Sequence, residues 1–231
     1  MNGYLKNFKE QIHTLNDVYY ELIKPIEDKS TLKNWWVFGG GTALSIFHFN
    51  HRKSFDIDIF VTEAQLFDFL NPKWFIDETT LFDDKDYRFD GSKHHLALKT
   101  KDNIKVDFLL NEAVINMPIK NTILDLDFDL YYESVEDIIA KKVKWRKEDN
   151  LARDIFDLAV ALTKDENILQ SLINSRFISY EDLEILNNAL DDLNMTQYKL
   201  EIDNIEPQTK EYMQIALNGK NIIQMSIKKI I

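Results

Sequence analysis

The chain has 231 residues, of which 45% are hydrophobic and 12% aromatic, with only four prolines, a composition that supports a packed core and excludes a largely disordered protein. The absence of cysteine excludes disulfides, thiolate metal sites and a cysteine nucleophile and fits a reducing compartment, while the formal net charge of −11 argues against a surface that coats nucleic acid generally. The first residues lack the apolar run of a signal peptide and no stretch approaches the roughly 18 uninterrupted apolar residues of a membrane span, so the sequence reads as cytoplasmic, with no membrane partner.

In chain order, apolar residues recur at helical spacing from Gly3 to Ile23, and Pro25 is expected to end that helix. Trp35 to Phe38 is an apolar run closed by Gly39-Gly40-Gly41, after which Thr42 to Phe49 returns to a helical pattern. That order reads as strand, tight turn, helix. Phe55 to Val61, Leu96 to Leu98 and Ile104 to Leu110 read as strands, the last two around the turn Lys101-Asp102-Asn103. Asp83, Asp84 and Asp86 lie in a polar stretch and read as solvated surface. After Tyr132 the segments Ser134 to Lys147, Leu151 to Thr163, Glu166 to Asn174, Tyr180 to Leu193 and Thr209 to Leu217 read as helices. The expected class is α+β: a mixed β-sheet flanked by helices over residues 1–130, then a mostly helical C-terminal part over 131–231, with no Gly/Pro/Ser linker between them.

Asp56 and Asp58 are two residues apart, so on an extended strand they project from one face, with Cα atoms roughly 6.5–7 Å apart. Phe55, Ile57 and Ile59 are expected to face the core. Two acids on the face opposite an apolar one suit a hard cation that prefers oxygen ligands, and Mg2+ is the natural one. A lone Asp-x-Asp is as readily an exposed strand face or a turn. Asp107, a single acid in the apolar run Ile104 to Leu110, strengthens the reading, because a neighbouring strand would bring it beside the pair to complete the metal shell or to accept a proton.

Three of the six glycines stand together before Thr42, where each costs backbone entropy. Thr42 can cap the following helix or offer its hydroxyl to a phosphate, and a plain capped turn is the alternative. Gly40-Gly41-Thr42-Ala43-Leu44 followed, with thirteen residues between Thr42 and Asp56, by Asp56-Ile57-Asp58 resembles the AbiEii/AbiGii toxin family of nucleotidyltransferases, within the DNA polymerase β-like superfamily. The resemblance extends to Ala140-Lys141-Lys142 and to Arg153-Asp154-Ile155-Phe156-Asp157-Leu158, and spans Trp35 to Leu162. It implies a nucleotidyltransferase-type sheet and a Mg2+-dependent enzyme that transfers a nucleoside monophosphate from a nucleoside triphosphate to an acceptor hydroxyl. It further implies a toxin with a cognate antitoxin partner, in a toxin–antitoxin or phage-defence setting, with RNA, tRNA included, as an acceptor of some relatives.

By the same resemblance Lys142 is the family lysine and Asp154 or Asp157 the second motif's functional acid; the strand reading makes Asp56, Asp58 and Asp107 the expected metal ligands, and the glycine turn, with Gly40, Gly41 and Thr42, the expected cradle of the triphosphate. Periodicity tests Lys142 independently: Val135, Ile138, Ile139 and Val143 mark an inward stripe, and Lys142 falls inside it at i+4 from Ile138. A lysine there must snorkel or meet an anion. On the next helix Leu151, Ile155, Leu158, Ala159 and Leu162 form an apolar face that Asp154 and Asp157 border, so a structural cluster pairing Lys142 or Arg153 with either acid is the alternative. Arg52 would hold a phosphate or tie the turn to the helical part. His48, His51, His94 and His95 show no metal-ligand spacing and read as hydrogen-bonded or exposed. Six basic residues against two acidic ones between Lys141 and Arg153 are compatible with an RNA acceptor or with a solvated face. Transfer to a small molecule and a non-catalytic binding role are the rival functions.

Overall fold

The computed structural model describes residues 3–30, 32, 34–88, 93–111 and 115–231, the side chains of 84–86 aside. The chain packs into two compact units, the first formed by Met1–Ile46, Ser54–Val114 and Pro118–Glu133, the second by Phe47–Lys53, Ile115–Met117 and Ser134–Ile231. No single cut separates them.

The first unit opens with a 3-10 turn, Gly3–Phe8, then α1 (Lys9–Val18), a π-helical turn (Tyr19–Ile23) and α2 (Lys24–Lys29). The helix therefore runs past Pro25, where the sequence predicts its end. Pro25 sits in the first turn of α2, and the widened π-turn before it leaves no i→i−4 bond at that point for the missing N–H to break.

Among the described residues seven strands follow in the order β3-β4-β5-β2-β1-β7-β6 across one mixed sheet: β1 (Trp36–Gly39), β2 (Ile57–Val61), β3 (Phe82–Arg88), β4 (His95–Thr100), β5 (Lys105–Leu110), β6 (Ile119–Lys120) and β7 (Tyr131–Tyr132). β1 is antiparallel to β2 and parallel to β7, and β2 runs parallel to β5. Central β1 is buried along its whole length. In β2 and β5 the residues Ile57, Ile59, Val61, Val106 and Phe108 are fully buried, as period-two alternation predicts for strands with one face on a core. The β4–β5 turn closes through Asn103 in the left-handed region (φ 66°), which asparagine tolerates better than most residues.

Asp83 is exposed, as expected, and lies within β3, which pairs with β4; among the described residues the strand sits at the edge of the sheet, where polar residues are tolerated because only one side is paired. The side chains of Asp84 and Asp86 lie outside the described ones. Phe55, expected to face the core, is 53% exposed, because β2 begins only at Ile57 and Phe55 is outside its pleat.

Between β1 and β2 a short helix α3 (Gly40–Ala43) passes into a π-turn, Leu44–Phe49. The second unit is helical: α4 (Val135–Arg146), α5 (Ala152–Lys164), α6 (Ile168–Asn174), α7 (Tyr180–Asp191), α8 (Met195–Ile205), α9 (Lys210–Leu217) and α10 (Gly219–Ile227). Ser134 caps α4 by accepting from the Asp137 N–H at 3.1 Å, and α7 carries a full capping box between Ser179 and Asp182. α5 is the central helix, packed against α4, α6, α8, α9 and α10 and buried from Asp154 through Leu162. Asp157 is thus not at the border of an apolar face but at the centre of the unit. Gly219 lets α10 approach closely, since a Cβ there would stand 2.8 Å from the Tyr198 hydroxyl and 3.0 Å from Ile155. Among the described residues no helix is long and apolar enough to cross a membrane.

Candidate active site

In the first unit, strand pairing sets the acids. Gly39 is the register partner of Asp58, Asp58 that of Asp107, and Asp107 that of Ala97, so Asp58 and Asp107 are direct neighbours on parallel strands, which lie about 4.8 Å apart. Asp56 stands one residue before β2, half-buried like Asp58. Its carbonyl accepts a hydrogen bond from the Thr42 hydroxyl, which also lies 2.8 Å from the Ser54 hydroxyl.

Thr42 is fully buried and within α3, whose N-cap is Gly39. It does not act as the cap; its hydroxyl ties the helix to the segment that enters the aspartate strand. Gly40 takes a φ of +66°, and a Cβ on it would fall 1.9 Å from Oδ2 of Asp58. The glycine is therefore required twice, by backbone and by space. Gly40→Ala should cost about 1–3 kcal/mol in backbone strain alone and displace the Asp58 carboxylate, so a melting curve and a transfer assay on this variant should both fall. An unchanged activity would show that the carboxylate does not need this position.

Asp107 is 5% exposed. Its Oδ1 lies 2.8 Å from His95 Nε2 and its Oδ2 2.5 Å from Lys105 Nζ. Burial would raise its pKa, but the hydrogen bonds from His95 and Lys105 and their charge outweigh it and hold the carboxyl below the usual value. A carboxylate so stabilised is a weak proton acceptor, which favours an orienting or charge-holding role for Asp107 over that of a general base.

No group of three or more His, Asp or Glu side chains is arranged to hold a metal among the described residues. Mg2+ nonetheless needs few protein ligands, since it is commonly held by one or two carboxylates together with substrate phosphates. Asp56 and Asp58 supply such oxygen donors, and the space beside Asp58 Oδ2 is one that a side chain on Gly40 would fill. The residues fit the ion.

In the second unit, the predicted residues of the helical motifs come together on one buried acid. Asp157, 0% exposed, accepts from Arg52 Nε at 2.6 Å and Nη2 at 2.8 Å and lies 3.0 Å from Lys142 Nζ. Lys142, 9% exposed on the buried face of α4, also pairs with Asp154, which Arg146 reaches at 3.2 Å. Burial would raise the Asp157 pKa; the charges of Arg52 and Lys142 and the bonds from Arg52 and His51 hold it well below the usual carboxylate range.

A family model described as the nucleotidyl transferase AbiEii toxin of a type IV toxin–antitoxin system matches residues 26–218. The chain belongs to this AbiEii family. It is an enzyme of the nucleotidyltransferase class, with the mixed sheet, flanking helices and helical C-terminal part expected of it. Comparison with curated proteins gives no match. Among solved structures, JHP933 from Helicobacter pylori is similar with a TM-score of 0.51 and 17% identity, over 100% of this chain and 94% of that one. MenT4, a nucleotidyltransferase toxin from Mycobacterium tuberculosis H37Rv, gives a TM-score of 0.51 and 16% identity over 90% of this chain and 82% of that one. At these identities the likeness is one of fold.

Two residues of this AbiEii family member were not singled out from the sequence. His51 is fully buried with Nε2 2.7 Å from Asp157 Oδ1; burial lowers its pKa against the pull of Asp157, so it is a neutral donor to that acid. Glu133, just after β7, is 4% exposed, and its Oε2 would be 2.1 Å from a Cβ on Gly39. Only the glycine beside it hints at this acid in the sequence. The basic run is largely paired with acids of neighbouring helices: Lys144 and Lys147 both lie 3.0 Å from Asp182 of α7, and Lys142 and Arg146 are held by Asp154 of α5. It is a helix surface of ion pairs more than an exposed cationic patch.

Proposed function

We propose that this AbiEii-family enzyme transfers a nucleoside monophosphate from a nucleoside triphosphate to an acceptor hydroxyl in a Mg2+-dependent reaction, with Asp56 and Asp58 holding the ion. The observation that carries this reading is the register of Asp58 with Asp107 on paired parallel strands, beside a glycine whose missing side chain makes room for the Asp58 carboxylate. When bound, Mg2+ would neutralise charge on the triphosphate oxygens and on the pyrophosphate that leaves.

The remaining roles follow from this chain's own groups. The backbone amides at Gly40 and Gly41 face no side chain of their own and cradle phosphate oxygens; Thr42 holds the turn and the Asp56 carbonyl in place. The acceptor oxygen attacks the α-phosphorus, the bond from that phosphorus to the bridging oxygen breaks, and pyrophosphate carries the electron pair away. Asp107, kept ionised by Lys105 and His95, orients the acceptor; the acceptor's proton passes to solvent. The reading of Lys142 as a triphosphate contact rests on its place inside an apolar helical stripe and that of Arg52 on its position before β2, while Asp154 and Asp157 as catalytic acids rest on motif resemblance; the ion pairs these groups make with one another give each of them a structural task as well.

Family membership supports the toxin role and a cognate antitoxin partner, while an RNA acceptor, tRNA included, rests only on the resemblance to some relatives. The test uses each of the four nucleoside triphosphates labelled at the α-phosphate, with Mg2+ and total cellular RNA. Label should enter RNA or another hydroxyl-bearing acceptor and should stop on addition of a chelator, resuming with excess Mg2+. Transfer that persists in chelator would overturn the metal assignment. No transfer to RNA, to small hydroxyl compounds or to the protein itself, with no triphosphate binding, would overturn the reaction.

A further inference from the structure

At the Trp36 end of β1, three residues from Gly39 and so about 10 Å along the strand from the glycine turn, Tyr19, Glu27, Asn34, Trp36, Asp129 and Tyr131 line a cavity of about 220 Å³. That is many times the ~10–15 Å³ one water needs. Its rings are fixed: Tyr19 stacks on Phe128 with centroids 3.7 Å apart, and Trp36 lies tilted against both at 6.1 and 6.4 Å.

Glu27 is the anomaly. Its Oε2 accepts from the Tyr19 hydroxyl and its Oε1 from Trp36 Nε1, each at 3.1 Å. Both donors are neutral. Burial, and after it the charge of Glu27, raises the Tyr19 hydroxyl to about 12, so it stays a donor throughout the physiological range. Among the described residues no cation forms an ion pair with Glu27; Lys24, on the same turn, lies 3.6 Å from Asp28 instead. Elsewhere in the lining, Asp129 is paired at 2.8 Å with Lys120, both more than half exposed, an arrangement worth little. Asp127, next but one before it, accepts from the Tyr20 hydroxyl at 2.5 Å. The described surroundings are thus aromatic and negative, and Glu27, half-buried and oriented by two hydrogen bonds, has no ion-pair partner among the described residues.

We propose that this cavity binds a guanidinium or alkylammonium cation, with Glu27 as the counter-charge and Tyr19, Trp36 and Tyr131 as the ring walls. Such a cation gains a charge-assisted contact with a carboxylate that is already oriented and cation–π attraction from the rings, whereas phosphates are repelled by the same lining. The cation is either the head of an arginine or lysine side chain presented by another polypeptide or a free polyamine. The site is independent of the nucleotidyl transfer reading and survives its failure.

The full-length chain should be titrated calorimetrically at low salt with three probes: an acetylated and amidated Gly-Arg-Gly peptide, the same peptide with neutral citrulline in place of arginine, and spermidine. Saturable binding of the arginine peptide is expected, at least tenfold tighter than that of the citrulline peptide and weakened at least tenfold by Glu27→Gln. Glutamine keeps both hydrogen bonds, with its oxygen facing Trp36 Nε1 and its amide donating to the Tyr19 oxygen, so the melting temperature and transfer activity should not change. Should that variant lose its cooperative melt, Tyr131→Ala, which alters a half-exposed wall, makes the same comparison. Glu27-dependent saturation by spermidine alone assigns the site to a free cation. Absence of saturation by either cation, or equal binding by the variants, overturns the proposal.

Discussion

Asp58→Asn should lower nucleotidyl transfer by ~10²–10³-fold or more, the range found when a single electrostatic element of an active site is removed, while leaving the fold as stable as before or slightly more so. Asparagine keeps the shape of the side chain and one oxygen, so packing against Gly40 survives; what is lost is the charge. Asp58 and Asp107 are register neighbours on parallel strands, and like charges directly opposite each other on a sheet are destabilising. Removing one should therefore relieve repulsion. Activity and melting temperature are predicted to move in opposite directions, a pattern that a merely structural aspartate would not give. A variant within threefold of wild-type activity at the same Mg2+ concentration would remove Asp58 from the metal site.

Asp157→Asn should destabilise the protein by ~3–5 kcal/mol, the range for breaking a buried ion pair by removing one partner. Arg52 and Lys142 have side chains only 5% and 9% exposed, and Asp154 can satisfy Lys142 alone. Arg52 would stay buried while losing the carboxylate that it grips through Nε and Nη2. Urea unfolding followed by circular dichroism measures this, and a loss below 1 kcal/mol would mean that water reaches the cluster. The pH dependence carries the sign. The folded pKa of Asp157 lies well below the usual value, so its contribution is fully present above the unfolded carboxylate range, near pH 4, and is lost as pH falls through the depressed value. His51, whose folded pKa is lowered by burial, acts in the same direction at higher pH: the unfolded chain takes up a proton below about 6.5 that the folded chain refuses. Wild type should therefore lose stability in two steps on acidification, and Asp157→Asn should lack the lower one.

What the sequence reveals depends on where each signal is carried. β2, β4 and β5 are legible because alternation reports a strand with one buried face, and Lys142 because a charge inside a helical stripe demands a partner. β3 escapes because an edge strand needs no apolar alternation. α8 and α10 escape because each buries little: Tyr198 and Ile202 in the one, Ile223 and Ile227 with Gly219 in the other, too narrow a stripe to stand out. The pairing of Asp58 with Asp107 needed strand register, which depends on contacts between residues 49 apart and is invisible locally. Which anion Lys142 meets is of the same kind. So is the burial of His51, read from the sequence only as a hydrogen-bonded or exposed histidine, and of Glu133, which no periodic pattern marks.

The seven residues Phe47–Lys53 lie between stretches of the sheet unit yet pack with the helices, and this governs how the gene can be dissected. A truncation that begins at Ser134 would remove both Arg52 and His51 and leave Asp157 to share Lys142 with Asp154 inside the helical unit. Such a fragment should be insoluble or molten, while the complementary fragment would carry a cationic loop with nothing to anchor it. A cut at Ser134 breaks a buried cluster, so joining the sheet unit to a foreign helical unit would have to carry a matching His-Arg segment across with it.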